Sequence, residues 1–275
     1  MNPDNPNAVI VVDKLIKKFG TRTVLDNVSL TAEKGQTTVI IGPSGCGKTV
    51  LMKHMIALEH PTEGGVYFQG KRIDELEGKD LVDVRMHFGF LFQGGALFDS
   101  LNVYENIIFP IKQHKKIKNW RAIDDLVKSK LAMVGMDGFQ MHHPASLSGG
   151  QQKRVALARA IAMDPEVILY DEPTTGLDPI RSDIINELIL KLQRELGVTS
   201  VVVTHDMRSA YKIADKIIML HKGKILAEGD ADYIKQHPHP VVQQFITGTV
   251  SEADLEALKL GGTKYPTQYD REDFQ

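Results

Sequence analysis

From Val9 to Ala32 apolar and polar positions alternate, in a stretch rich in Val, Ile, Leu and Thr. This pattern predicts two or three strands turned at Gly20. Thr37 to Ile41 is a short apolar run, read as a strand entering a glycine loop, and Val50 to Leu58 then reads as a helix. Val66 to Ile73 predicts a hairpin around Gly70, and Phe88 to Phe92 a buried strand. From about Gly94 to Leu147 the period changes. Helical spacing recurs at Val103 to Ile111 and at Trp120 to Val134, so this stretch reads as a mainly helical insertion. A long helix is expected from Gln151 to about Met163. It is followed by a strand (Val167 to Tyr170), a helix (Pro179 to Leu196), a strand (Ser200 to Thr204), a further helix and a last hairpin around Lys222 and Gly223. Strands alternating with helices imply an α/β fold with a largely parallel, doubly wound sheet. Residues 1 to 8 read as a loose lead-in. Beyond about Thr247 a separate tail is expected, with one short helix at Ser251 to Leu260.

Two strand ends carry the candidate chemistry. The first strand with a glycine loop runs into Gly42, Pro43, Ser44, Gly45, Cys46, Gly47, Lys48 and Thr49, with Val50 opening the helix. This is the full phosphate-binding loop pattern in its required context, between an apolar strand and a helix. Glycines let backbone N–H groups point at phosphate oxygens, and the helix N-terminus favours the same anion. Lys48 is expected on the β- and γ-phosphates and Thr49 on Mg²⁺. The second strand ends in Asp171 and Glu172. Asp171 is placed to orient Mg²⁺ through water, and Glu172 to polarise the attacking water as general base. An isolated acidic pair would more often be a solvated turn; beside the phosphate loop it points to nucleotide hydrolysis.

Composition narrows the picture. The 275 residues carry a formal net charge of −2, so no global basic surface suggests nucleic acid. The single cysteine, Cys46, excludes an internal disulfide and fits a reducing compartment. A thiol near a helix N-terminus is expected to have a lowered pKa. The opening residues lack the features of a signal peptide, and no apolar run reaches the roughly 20 residues of a membrane helix. Any membrane role is therefore expected through a partner.

Further along, Leu147-Ser148-Gly149-Gly150-Gln151-Gln152 resembles the signature motif of ABC ATPases. Ser148, Gly149 and Gly150 offer a hydroxyl and N–H groups at a helix start, a second anion site. Other residues match that family in order. Phe19 stands where it has an aromatic that stacks on adenine, though core packing is the commoner use of such a residue. Gln93 stands at the Q-loop, where it would sense Mg²⁺ and the attacking water. Gly176, Leu177 and Asp178 stand at the D-loop, and His205 at the switch histidine, at a strand's C-terminal end where ligands bind in such folds. Asp206 fits the start of a helix. The resemblance implies a P-loop NTPase ABC cassette with a RecA-like parallel sheet core, an N-terminal antiparallel β subdomain and a helical insertion. It assigns 9–246 to the ATPase domain, about 94–150 to the helical subdomain and 247–275 to a C-terminal extension. ATP and Mg²⁺ are implied, as is a head-to-tail dimer in which Ser148 to Gln151 close over the ATP of the second copy.

The segment Leu91 to Val103, read on to Ile111 as LFQGGALFDSLNVYENIIFPI, is similar to the ATPases of Mla-type systems, which move phospholipids between the membranes of diderm bacteria. That resemblance implies an integral membrane permease, a periplasmic MCE-domain protein, often a STAS-domain protein, and a place on the cytoplasmic face of the inner membrane. Its apolar residues would form a groove for a cytoplasmic helix of the permease, or simply pack the insertion. The catalytic residues alone fit equally an ATPase of an importer for a polar solute such as an amino acid. A soluble ABC protein without transport is a third reading.

Overall fold

The computed structural model describes residues 6–114 and 119–249. The helix expected at Ser251 to Leu260, with most of the tail and the first five residues, lies outside the described residues.

Two sheets form. Strands β1 (Ala8–Phe19), β2 (Arg22–Glu33), β4 (Glu63–Phe68) and β5 (Lys71–Arg72) make an antiparallel sheet in the order β2-β1-β4-β5. The alternation read from Val9 to Ala32 thus resolves into two strands with the turn at Gly20 and Thr21. Strands β3 (Thr37–Ile41), β6 (Phe88–Leu91), β7 (Val167–Asp171), β8 (Thr199–Val203), β9 (Lys216–His221) and β10 (Lys224–Gly229) make the second sheet, in the order β10-β9-β3-β8-β7-β6. Every pairing in it is parallel except the last hairpin, β9 with β10.

The central strands β3, β7 and β8 are buried along their full length. Their continuous apolar runs follow from coverage of both faces. Successive side chains feed opposite cores, as a two-residue period requires. Val39, Ile168, Tyr170 and Val202 point to one core, which is completed by helices. Ile40, Leu169, Val201 and Val203 point to the other, which is roofed by the antiparallel sheet.

The helices are α1 (Lys48–Met55), α2 (Gly78–Arg85), α3 (Val103–His114), α4 (Trp120–Met133), α5 (Gly149–Ala160), α6 (Pro179–Leu196), α7 (Met207–Ile213), α8 (Ala231–Lys235) and α9 (Pro240–Thr247). The insertion between β6 and α5 carries α3 and α4, as its period predicts. Helix α1 ends three residues before the expected Leu58. Ala57 turns left-handed at φ 51°, and the amides of Ala57 and Leu58 return to the carbonyls of His54 and Lys53. Two bonds of this kind close a helix firmly. Helix α5 likewise stops at Ala160, short of Met163. Three helices are absent from the sequence reading. Helix α2 buries only Val84 and so shows little apolar stripe. Helices α8 and α9 are short and marked by their caps, Asp230 and His239, more than by any period. At the N-terminus, Ala8 belongs to β1 and is buried.

Candidate active site

The loop after β3 can close only with glycine at two positions. A side chain on Gly42 (φ 147°) would place Cβ 2.0 Å from the Leu220 carbonyl oxygen, and one on Gly47 (φ 108°) would meet Leu25 at 2.8 Å. Helix α1 then starts at Lys48. Its side chain is buried and turns back along the loop, donating to the carbonyls of Gly42 (2.8 Å) and Pro43 (3.0 Å). Thr49, one residue on, donates its hydroxyl to Asp171 Oδ1 at 3.1 Å. Asp171 closes β7, paired with Val203 of β8, and is buried. Burial pushes its carboxyl above the ordinary carboxylate value, and the Thr49 hydroxyl acts against that shift.

Glu172 leaves the sheet in a left-handed conformation, φ 50°, held by its amide on the Val203 carbonyl at 2.9 Å. A non-glycine residue in this region is costly and is kept only where its surroundings impose it. The turn throws the carboxylate across the sheet edge. Its Oε2 accepts from Thr175 Oγ1 at 3.2 Å and lies 2.8 Å from His205 Nδ1. His205 follows β8, and its side chain is more than half exposed. Asp206 next to it caps α7, accepting from the Arg208 amide at 3.0 Å.

These pieces meet in one cleft of about 320 Å³, lined by Ser44, Gly45, Gly47, Lys48, Thr49, Val50, Gln93, Glu172 and His205, with Val24 of β2 added. Gln93, far away in sequence and just past β6, thus shares a wall with the phosphate loop. Cys46 is nearly buried, with its sulfur 3.0 Å from where a Gly42 side chain would stand. The expected lowering of its pKa is corrected here. Burial pushes the thiol up, outweighing the Lys48 ammonium and the two nearby N–H groups that pull it down. Phe19 ends β1 at the hairpin tip, 46% exposed, with Lys17 Nζ 4.8 Å from its ring centre. It is not part of the cleft lining.

The residues of the second anion site also lie apart. Ser148 caps α5, accepting from the Gln151 amide at 3.4 Å, while the Gln151 side chain accepts from the Ser148 amide at 2.8 Å. This reciprocal cap organises the helix start and ties up the Gln151 side chain. Gly149 and Gly150 supply the first turn. None of the four lines the cleft of their own chain. Asp178 caps α6 without the reciprocal bond, accepting from the Arg181 amide at 2.9 Å.

Two features escaped the sequence reading. Lys153 of α5 is buried, and its ammonium donates to the carbonyls of Pro173 (2.7 Å), Thr175 (2.7 Å) and Glu172 (3.4 Å). Burial lowers its pKa, an effect that the Glu172 charge opposes. Nothing in the spacing of α5 sets this lysine apart from a surface one. The other is the part of Arg159 in the apolar groove that the segment after Gln93 was expected to form. A groove of about 540 Å³ opens between α2, β6 and α3, with Phe92, Phe98 and Phe109 on its rim and all three substantially exposed. Arg159 of α5 lies along it, donating to the Gly95 carbonyl at 3.1 Å and covering the Phe98 ring at 5.5 Å.

Chemically, the cleft offers a glycine loop leading into a helix N-terminus and an ammonium for a polyphosphate. The Thr49 hydroxyl and Gln93 amide oxygen line the cleft, and the buried Asp171 carboxylate stands behind Thr49 outside the lining; all three are hard oxygen donors of the kind that suits Mg²⁺. The carboxylate of Glu172, braced by a histidine, suits proton removal from water.

Comparison with known proteins gives the same frame. A sequence model for the family described as ABC transporter matches residues 25–175. A Haemophilus influenzae protein named as the ATP-binding protein of an intermembrane phospholipid transport system is 40% identical over 268 residues, 97% of this chain and 98% of that one. A Mycobacterium tuberculosis protein named as a probable ribonucleotide transport ATP-binding protein is 40% identical over 87% of this chain, which spans 66% of that relative's length. Among solved structures, a dimeric ATP-binding cassette in a post-hydrolysis state bound to ADP and Pi matches 81% of this chain and 98% of its own, with a TM-score of 0.74 and 35% identity.

Proposed function

This chain belongs to the ABC transporter family of ATP-binding proteins, and from that premise we propose that two copies of it hydrolyse ATP to drive phospholipid transport between the inner and outer membranes of a cell. The observation that carries the hydrolytic part is the cleft in which Lys48, Thr49, Gln93, Glu172 and His205 converge. The lipid part is supported by the end-to-end match to the Haemophilus influenzae protein.

In this reading the loop amides and Lys48 bind the β- and γ-phosphates of ATP, Lys48 exchanging its loop carbonyls for phosphate oxygens. Thr49, Asp171 and Gln93 would hold Mg²⁺, which neutralises charge on the phosphates when bound. Glu172 takes a proton from the water that attacks the γ-phosphorus, as the bond to the β–γ bridging oxygen breaks. His205 steadies the Glu172 carboxylate and reaches the γ-phosphate. Phe19 stacks on adenine beyond the phosphate cleft. Ser148, Gly149 and Gly150 close over the ATP of the second copy, with Asp178 at the interface. This accounts for an anion site that its own cleft does not use. Hydrolysis removes the shared phosphate, and the copies part, so chemistry becomes motion through contacts that differ between two states.

The aromatic groove receives a cytoplasmic helix of an integral membrane permease, as an apolar groove receives an amphipathic helix elsewhere. No helix among the described residues is long and apolar enough to cross a membrane. We place the chain on the cytoplasmic face of the inner membrane, with an MCE-domain protein and a STAS-domain protein completing the assembly. Residues 247–275 act as an extension of the 9–246 ATPase domain. The mycobacterial relative's printed name, which speaks of ribonucleotide transport, favours a second reading in which the transported substrate is a polar solute.

The test is to extract the tagged chain from its native membrane in mild detergent and identify co-purifying proteins and lipids. A permease, an MCE-domain protein and bound phospholipid are expected. A permease with a solute-binding protein and no lipid would replace this reading with the second; soluble partners alone would remove transport.

A further inference from the structure

Helix α5 has two jobs at its two ends of contact. Its first turn holds Ser148 to Gln151, and one turn later Lys153 reaches into the interior. There its ammonium gathers three backbone carbonyls of the turn that follows β7. That turn is the one that carries Glu172 in its left-handed conformation, with Thr175 bonded to the same carboxylate. Carbonyls in a buried turn need donors, and a strained residue needs its neighbours to hold it. A single ammonium does both here, because three N–H bonds fan out from one atom.

We propose that Lys153 is a positioning residue for hydrolysis, tying the signature helix to the turn bearing Glu172 and so fixing where the water-activating carboxylate stands. The proposal rests on the ATPase reading for its catalytic consequence, but the tie itself is a property of the turn. Lys153 is not in the cleft lining. Its effect is therefore on geometry at Glu172, and misplacement of a catalytic group by even an ångström lowers turnover steeply. It also makes α5 a shared part. Any shift of its first turn, when Ser148 to Gly150 engage the second copy's nucleotide, is transmitted through one side chain to the chain's own carboxylate.

The test compares the purified full chain with Lys153→Met, which keeps the length and loses the donors, and Lys153→Gln, which keeps two donors. Lys191→Met is the control, since Lys191 likewise donates to a backbone carbonyl, that of Met133, and neither residue lines the cleft. Two quantities are measured: kcat against ATP affinity, and hydrogen–deuterium exchange of the peptide spanning 172–177. Lys153→Met is expected to lower kcat on the order of 100-fold, with ATP affinity kept within about twofold, and to speed exchange in 172–177. Lys153→Gln should recover part of both, and Lys191→Met should change neither. Unchanged exchange in Lys153→Met, unchanged kcat, or kcat and ATP affinity falling together would overturn the proposal. Absence of hydrolysis by the wild-type chain would count against the ATPase reading instead, and the exchange measurement would still decide the role of Lys153.

Discussion

Glu172 shows how much chemistry depends on one backbone conformation. Its φ of 50° turns the carboxylate toward His205, 2.8 Å away, where a continued strand would have buried it or sent it to the opposite face. Glu172→Gln preserves that shape but cannot take a proton. It is expected to cut Mg-ATP turnover by at least about 100-fold while ATP still drives dimerisation, visible by size-exclusion chromatography; turnover near the wild-type rate would remove Glu172 from the mechanism. Cys46 gives a pH-dependent counterpart. Because burial raises its pKa, the thiolate fraction at neutral pH is lower than in a free thiol, and alkylation should be slow there. Its rate should climb as pH passes above the ordinary thiol value of about 8.5, and bound ATP should protect. Rapid labelling at pH 7 would contradict the burial. At this scale the sequence was legible where order and spacing constrain chemistry: Lys48, Thr49, Asp171 and Glu172 read off two strand ends. Cys46 was misread because its distance from the helix N-terminus is visible in the chain and the packing that buries it is not. Lys153 was missed for the same reason, its partners standing about twenty residues away.

Elements were readable in proportion to their burial. Strands β3, β7 and β8 and helix α6 follow from apolar runs and a proline-led, aspartate-capped start. Helix α2, nearly all surface, left no stripe to read. The join between β6 and α5 is a place where the backbone approach itself sets the residue type. A side chain on Gly89 would put Cβ 2.6 Å from the Ala160 carbonyl oxygen and 3.2 Å from Pro165. Neither neighbour is a flexible side-chain tip, so Gly89→Ala must push strand and helix apart. Overpacking of this kind costs about 1–3 kcal/mol, and a chain of this size should then melt lower by several degrees, about 2–4 °C per kcal/mol. An unchanged melting curve would mean that the junction yields without strain. Because Gly89 also lines the aromatic groove, the same variant should loosen whatever docks there.

For the whole molecule, the sheet divides two cores that belong to different tasks. One lies under the antiparallel sheet and α1 and carries the phosphate loop; the other carries the helical insertion, and the groove draws on both, Phe88 and Phe90 packing on the first and Met163 on the second. The rings of Phe98 and Phe109 meet at 4.5 Å, tilted by 46°, on the groove rim, outside the cleft lining. Phe109→Glu is therefore expected to release the permease during detergent purification while leaving ATP hydrolysis by the isolated chain close to wild type. Loss of both together would show that the groove and the cleft are not separable.

The placement of Ser148 to Gly150 outside their own chain's cleft has a genetic consequence. If each of two nucleotides is completed by the other copy, a defective signature damages a site that its own chain does not build. An allele carrying Ser148→Arg should then behave as dominant. Mixed with wild-type subunits, it should depress turnover more steeply than its share of the population, since a hybrid dimer inherits one faulty lid. Turnover falling in simple proportion to the mutant fraction would instead describe subunits that work alone.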